Sequence, residues 1–383
     1  MNAVNNAINI AILRAGNGHK IWEMTPEERI RKQIQAIAAR ENIDVHIIDD
    51  LARFTDQMIL LLRDDTIYDT SFLEGMFHSP AHCFVNHESE PVGGFVPKTH
   101  IDKTALWLTE KGTQPDIPEL PPDQTGQSYR DELRKKANPY ALIVDDNNER
   151  DIEWKLFQGS YKGVTDLVTK YLWPLPAFYV TKACAKLRMS PNMVTSIGAV
   201  LMFYALYAFW VGDFGPGLLA GWAMTFLDTV DGKLARVTLT SSHWGGVFDH
   251  GIDLLHPPFW YLAWAIGLGA TGQALPEDSF APLMAAMFGS YIAGRLCEGW
   301  FIHRYNIHIH VWRKADSFFR LICARRNPSL IVLTLCWLAG HADTGLIIVV
   351  VWHVITLLVH LVQIAQAAIN DIRGRPVRSW LQA

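Results

Sequence analysis

Four aspartates stand at fixed spacings between apolar runs: Asp228 and Asp231, then Asp249 and Asp253. The first pair is i, i+3 and the second i, i+4, so on helices each pair shares a face. Two such helices facing each other make a four-carboxylate cage, an all-oxygen site suited to a hard divalent cation such as Mg²⁺. Carboxylates this close to apolar runs are costly near a membrane, and there they mark function. A solvated polar turn between two helices is the bland alternative. Gly232, Ala235, Arg236 and Gly245 lie among the aspartates.

Apolar helices must position these groups. The 383 residues leave room for two or three domains, and the halves differ: 1–160 is charged and mixed, while 191–367 holds long apolar runs. Mean hydropathy of +0.09 averages the two. Six spans are expected, at about 191–210, 216–236, 245–268, 282–303, 328–341 and 344–366. The fifth is short and must start before Arg325-Arg326, tilt, or sit in a thinned region. Lys182 to Arg188, Lys233, Arg236, Arg304 to Arg326 and Arg373 to Arg378 fall on one side. The opposite loops carry no Lys or Arg, so the positive-inside rule puts both termini and the aspartates in the cytoplasm. Gly217, Gly221, Gly245, Gly246 and Gly251 are expected at close helix contacts.

The pattern D-x2-D-G-x2-A-R-x8-G-x3-D-x3-D, complete from Asp228 to Asp253, resembles the signature of the CDP-alcohol phosphotransferases, integral membrane enzymes that build phospholipid head groups. The resemblance covers about 160–370. It implies transfer of a phosphoalcohol group, with phosphatidyl preferred, from a CDP-linked donor to a hydroxyl acceptor, with release of CMP. It implies two Mg²⁺ (or Mn²⁺) ions on Asp228, Asp231 and Asp249, with Asp253 as general base also touching metal. Gly232, Ala235, Arg236, Gly245, Asn192 and Thr195 would bind the CDP moiety, with helix capping as the alternative for Asn192. Lys233 is expected to snorkel to the interface. The family pattern includes a homodimer.

Arg295, inside the fourth span, needs an anionic partner. Glu298 at i+3 is one, and a phosphate on the acceptor is the other, with Arg304 extending such a pocket. His250 and His256 read as core or supporting residues. Asp151–Ser190 reads as a linker with an amphipathic interfacial helix near Trp173–Arg188. Residues 371–383 form a cytoplasmic tail.

In 1–150, Ile8–Leu13 reads as a buried strand, followed by Gly16-Asn17-Gly18, a basic residue and Pro26. This order is similar to the opening of sugar-phosphate nucleotidyltransferases. Lys20 stands where that family prefers arginine, and Glu27 where it binds substrate with lysine. Met58–Leu62 followed by Asp64-Asp65 resembles its metal-binding strand end. The fold expected is a Rossmann-like α/β domain that has lost its chemistry, with Gly93-Gly94 as a turn and 111–127 as a loop or linker. An active cytidylyltransferase acting with a CDP-polyol phosphotransferase, as in di-inositol-phosphate synthesis, is the alternative. A divalent-cation transporter or membrane scaffold is a third reading, and it has no need of the motif's glycines or Arg236.

Net charge of −4 and a pI near 6.4 give no reason for a nucleic-acid partner. The five cysteines are scattered without CxxC spacing, which indicates neither a disulfide framework nor a zinc site. The N-terminus has no basic region followed by an apolar core, so no signal peptide is expected.

Overall fold

The computed structural model describes residues 7–382 except 17, 52, 53, 55, 111 and 242, and leaves out the side chains of 243, 244, 248 and 249. It divides into two compact units. One is Met1–Asp131 with Lys136–Ser160 and Val237–Leu239; the other is Glu132–Lys135, Tyr161–Arg236 and Thr240–Ala383.

The first unit is an α/β sheet domain. In chain order it holds β1 (Ile8–Leu13), α1 (Pro26–Glu41), β2 (Val45–Ile47), β3 (Met58–Arg63), β4 (Thr66–Tyr68), α2 (Thr70–Phe77) and β5 (His82–Val85). Then follow β6 (Pro91–Pro97), α3 (Ile101–Glu110), β7 (Glu119–Leu120), the single turn α4 (Pro122–Thr125) and α5 (Glu149–Gly159). The main sheet runs β2-β1-β3-β6-β5-β7, with β6 antiparallel to both neighbours and the other pairings parallel. Its central strands are apolar throughout because both faces are covered. Ile10, Leu60 and Leu62 pack on Ile30 and Ile34 of α1 and Phe72 of α2, while Ala11, Ile59 and Leu61 pack on Trp107 and Leu108 of α3. A capping box starts α1: Thr25 accepts from the Glu28 backbone N–H, and the Glu28 side chain accepts from that of Thr25.

Gly93 and Gly94 correct one expectation. They lie inside β6 rather than in a turn. A Cβ on Gly93 would stand 3.1 Å from the Leu61 carbonyl oxygen, and one on Gly94 would stand 2.8 Å from Thr104 Cγ2. The glycines answer to close packing on β3 and α3, a contact that local sequence does not announce. The 111–127 stretch is also not all loop, since it contributes β7, paired with β5, and α4.

The second unit is helical: α6 (Pro174–Lys186), α7 (Pro191–Trp210), α8 (Phe214–Val237), α9 (His243–Gly267), α10 (Glu277–Tyr305), α11 (Lys314–Ile322), α12 (Arg326–Leu338) and α13 (Ala342–Ile372). Before α6, residues Val168–Leu172 form a π-helical turn. Leu175 and Tyr179 of α6 are exposed while Phe178 and Cys184 are buried, as in a helix with one apolar face left open.

By length and apolarity, α7, α10 and α13 suffice to cross a membrane, and α11 with α12, bent by 41°, makes a fourth if the pair is one broken span. That is three or four candidates among the described residues, against the six expected. The shortfall has a cause: α8 and α9 are long enough but carry the charged motif in the half where an apolar run would be needed.

Helix packing centres on tryptophans. Trp264 stacks on Phe214 at 4.1 Å between centroids and donates to the Ala342 carbonyl at 3.0 Å, while Trp260 donates to that of Met202. Both indole N–H groups are thus satisfied away from water. Of the glycines expected at close contacts, Gly217 fits, as a Cβ there would lie 2.6 Å from the Phe209 ring. Gly246 and Gly251 face open space instead. The closest approach belongs to Gly267, where a Cβ would fall 1.9 Å from the Phe209 carbonyl oxygen. The C-terminal stretch docks on its own unit: Trp380 donates to Ser317 Oγ at 2.9 Å, and Ser379 to the Val311 carbonyl.

Candidate active site

Three helices bring the signature together. Ser190 caps α7 by accepting from the Met193 backbone N–H, with Pro191 in the first turn. Capping therefore falls to Ser190, and Asn192 is left one residue inside the helix. One turn on, the Thr195 hydroxyl donates to Asp231 Oδ2 at 2.6 Å, the length of a charge-assisted bond. Asp231 is buried and Asp228 half-buried on α8, with Asp253 half-buried on α9. Asp249 belongs to α9 as well, but its side chain lies outside the described residues.

A cleft of about 150 Å³ opens beside Asp231. Its wall includes Asn192 and Thr195 of α7, Gly232, Ala235 and Arg236 of α8, and Gly245 of α9. All six residues expected at the CDP moiety thus line one cavity. Arg236 Nη1 donates to the Gly232 carbonyl at 2.9 Å, which holds the guanidinium along the cleft.

The aspartates meet a cation that the motif does not contain. Arg326, in the first turn of α12, donates from Nη2 to Asp228 Oδ2 at 2.5 Å and from Nη1 to Asp253 Oδ1. One planar guanidinium therefore joins carboxylates of α8 and α9. Beside it, Asn327 donates to Asp166 Oδ1 at 3.0 Å, and Asp166 also accepts from Thr169, which fixes the start of α12. Sequence reasoning gave Arg326 no role beyond positive charge. The only signal was an Arg-Arg pair ahead of an apolar run too short to span.

A second group of charges forms around Glu298 on α10. Arg325 Nη2 lies 2.5 Å from both of its oxygens, and Arg295 Nη1 lies 3.2 Å from Oε2. Glu298 is one of the two partners expected for Arg295, and the guanidinium also sits 5.0 Å above the Tyr291 ring. Arg304 is exposed at the end of α10 and pairs with Asp371. Lys233 is a correction: it does not snorkel, but is buried with Nζ 3.5 Å above the Tyr161 ring. His250 is exposed, and His256 is a core residue whose Nδ1 faces the Ile252 carbonyl at 2.6 Å.

In the first unit, the glycine-rich turn is filled from within. Asp64 Oδ1 accepts from the backbone N–H groups of Ala15 at 2.7 Å and Gly16 at 3.0 Å, the donors that a phosphate would use. Asp65 is buried in a bidentate pair with Arg63, at 2.9 and 2.6 Å. Glu27 pairs with Arg31 at 2.8 Å. Asn17 lies outside the described residues.

Comparison with known proteins agrees on the helical unit. Residues 188–355 match the CDP-alcohol phosphatidyltransferase family. The archaetidylinositol phosphate synthase of Pyrococcus horikoshii is 37% identical over 119 residues, 30% of this chain and 60% of that one. An uncharacterized CDP-alcohol phosphatidyltransferase class-I family protein of Schizosaccharomyces pombe is 36% identical over 83 residues, 18% of this chain and 22% of its own. This chain thus spans less than two thirds of either relative. The crystal structure of Mycobacterium tuberculosis phosphatidylinositol phosphate synthase with CDP-DAG bound covers 49% of this chain and 92% of its own, at 16% identity and a TM-score of 0.37.

Residues 188–355, the stretch that carries the aspartate pattern and the cleft, are thus the part of this chain that matches the CDP-alcohol phosphatidyltransferase family.

Proposed function

We propose that the protein is a membrane phosphotransferase that moves a phosphoalcohol group from a CDP-linked lipid to the hydroxyl of a phosphorylated polyol. The carrying observation is the convergence of Asp228 and Asp253 on one cationic group, beside a cleft lined by the rest of the signature. The donor set fits hard divalent ions, since it offers carboxylate oxygens from two helices. Asp228, Asp231, Asp249 and Asp253 would hold two such ions, Mg²⁺ or Mn²⁺, which when bound would neutralise the pyrophosphate.

The chain's own residues do the rest. Gly232 and Gly245 let the cytidine lie against backbone, with Asn192, Thr195 and Ala235 completing the wall. Arg236 presents its fork to the pyrophosphate. Asp253 takes the proton of the acceptor hydroxyl as that oxygen attacks the β-phosphorus, and the bond from that phosphorus to the bridging oxygen breaks to release CMP.

Arg295, inside α10, and Arg325, at the start of α12, bring two guanidinium groups together at Glu298, cations that an acceptor phosphate would use, which favours a phosphorylated acceptor. The name of the archaeal relative makes inositol phosphate the first to try. The donor proposed is CDP-diacylglycerol or its ether-lipid counterpart. We place the chain in the cytoplasmic membrane with six spans, counting α8 and α9, and with both termini and the aspartates on the cytoplasmic side. The proposal includes a homodimer and excludes a nucleic-acid role. It reads the α/β domain as having lost nucleotidyl transfer, since Asp64 and Asp65 are committed to the turn and to Arg63.

The deciding experiment is Mg²⁺-dependent CMP release by detergent-purified protein. CDP-diacylglycerol would be supplied with inositol phosphate, glycerol 3-phosphate, serine or inositol, and the Asp253→Asn protein would serve as blank. Release with a phosphorylated acceptor supports the reading. Release only with unphosphorylated acceptors removes the acceptor-phosphate part, and none with any acceptor removes the CDP-lipid donor.

A further inference from the structure

We propose that Glu298, His310 and His360 form a second metal centre that binds a zinc-type divalent ion, separate from the aspartate cage. The three residues come from α10, the turn Ile309–Val311 and α13, and their ligand atoms all lie within 4.8 Å of one another. Both imidazoles are almost fully buried.

Distances favour a metal over a hydrogen bond. Glu298 Oε1 lies 3.4 Å from His310 Nε2 and 3.4 Å from His360 Nε2. An imidazolium donating to a carboxylate would close to about 2.7–2.9 Å. A tetrahedron with metal–ligand bonds of about 2.0–2.1 Å has edges of about 3.3–3.4 Å, the spacing of both pairs.

The tautomer of His360 points the same way. Arg313 pairs with Asp316, so that carboxylate is ionised and only accepts. Gln363 therefore turns its amide N–H toward Asp316 Oδ1 at 2.8 Å, and its Oε1 faces His360 Nδ1 at 2.8 Å. Nδ1 then carries a proton, and Nε2, which faces the carboxylate oxygen, either donates to it or binds a cation held between the two atoms; the 3.4 Å gap is long for the first and fits the second. The bond from Nδ1 to Gln363 is also the way a metal-bound histidine is held by its outer neighbours, through its second ring nitrogen. Among the described residues, His310 Nδ1 has no hydrogen-bond partner that would hold that ring in the opposite tautomer.

Arg325 and Arg295 on Glu298 are compatible with this assignment. Arg325 Nη2 reaches both oxygens and Arg295 Nη1 reaches Oε2, and metal-bound carboxylates are commonly hydrogen-bonded themselves. The centre would tie α10, α13 and the connecting turn together behind Arg325.

Metal content tests this without reference to turnover. The full-length protein in detergent would be stripped with chelator, given saturating Mg²⁺ to fill the aspartate cage, and titrated with Zn²⁺ and with Co²⁺. Expected are one tightly held Zn²⁺ per chain and the visible bands of tetrahedral Co²⁺. Asp228→Asn should retain this uptake, whereas Glu298→Gln and His360→Gln should lose it. Gln363→Leu, which keeps all three ligands, should weaken affinity by about 10- to 100-fold. Only trace uptake by the wild type, or undiminished uptake by His360→Gln, overturns the proposal.

Discussion

Arg326 Nη2 and Asp228 Oδ2 stand 2.5 Å apart, linking the first turn of α12 to the motif helix α8. The same guanidinium reaches Asp253 on α9, so one side chain balances two of the four motif carboxylates. The guanidinium end of this bridge is largely shielded from water, where an unpaired charge is expensive, and the two carboxylates are half-buried.

Removing the bridge should make the protein lean on divalent ions. In chelator, Arg326→Gln should lose about 3–5 kcal/mol of stability, because two carboxylates then face each other without a cation. Saturating Mg²⁺ should raise the melting temperature of Arg326→Gln more than that of the wild type. Equal Mg²⁺ responses in the two proteins would show that Arg326 is not balancing a metal site. Arg326→Lys should recover little, since an ammonium cannot present two parallel donors.

Asp253→Asn tests the proton acceptor. Turnover should fall by about 10²- to 10⁴-fold, the range for loss of a general base. Mg²⁺-dependent binding of the CDP-linked donor, read by equilibrium titration, should persist. Retained turnover would remove Asp253 from that role.

The arginines at the helix ends should sort by their partners. Arg325→Ala and Arg295→Ala should raise the acceptor KM more than the donor KM. Arg325→Ala should be the more damaging, since it contacts both Glu298 oxygens where Arg295 contacts one. Arg304→Ala should leave both constants unchanged and cost at most about 1 kcal/mol, because its pair with Asp371 is exposed. An equal effect of Arg325→Ala on both KM values would sink the acceptor-phosphate assignment.

The α/β domain should be inert toward CTP. Full-length protein supplied with CTP and a phosphorylated polyol should form no CDP-alcohol. Asp64→Ala should lower stability by about 1–3 kcal/mol, because the N–H groups of Ala15 and Gly16 lose their acceptor. Formation of CDP-alcohol by the wild type, lost in Asp64→Ala, would restore the active reading of this domain.

Cys83 offers a check on the sheet. It is fully buried on β5, and burial pushes its thiol up to about 12. The folded protein should therefore resist alkylation there at pH 8, and labelling should begin only as the domain unfolds. Rapid labelling under native conditions would contradict the packing against α3.

The sequence by itself determined what is local and periodic. Helical spacing was enough to pair Asp228 with Asp231 and Asp249 with Asp253, and apolar runs were enough for β1, β3 and α7, because each depends on residues a few positions apart. The cleft gathers Gly232, Ala235, Arg236 and Gly245, which sit at signature spacings on α8 and α9, with Asn192 and Thr195 of α7, which lie outside the signature. Tertiary structure decided the rest. Arg326 lies 73 residues beyond Asp253, and no spacing rule connects them; their meeting depends on how α12 packs. Glu298, His310 and His360 converge from separate elements, so no CxxC-like pattern could reveal them. Gly93 and Gly94 read as a turn because glycine is ambiguous until its neighbours are known, and here those neighbours belong to β3 and α3. Asp64 could have faced a metal or its own turn, and only the folded backbone, with two N–H groups within reach of Oδ1, chose between them.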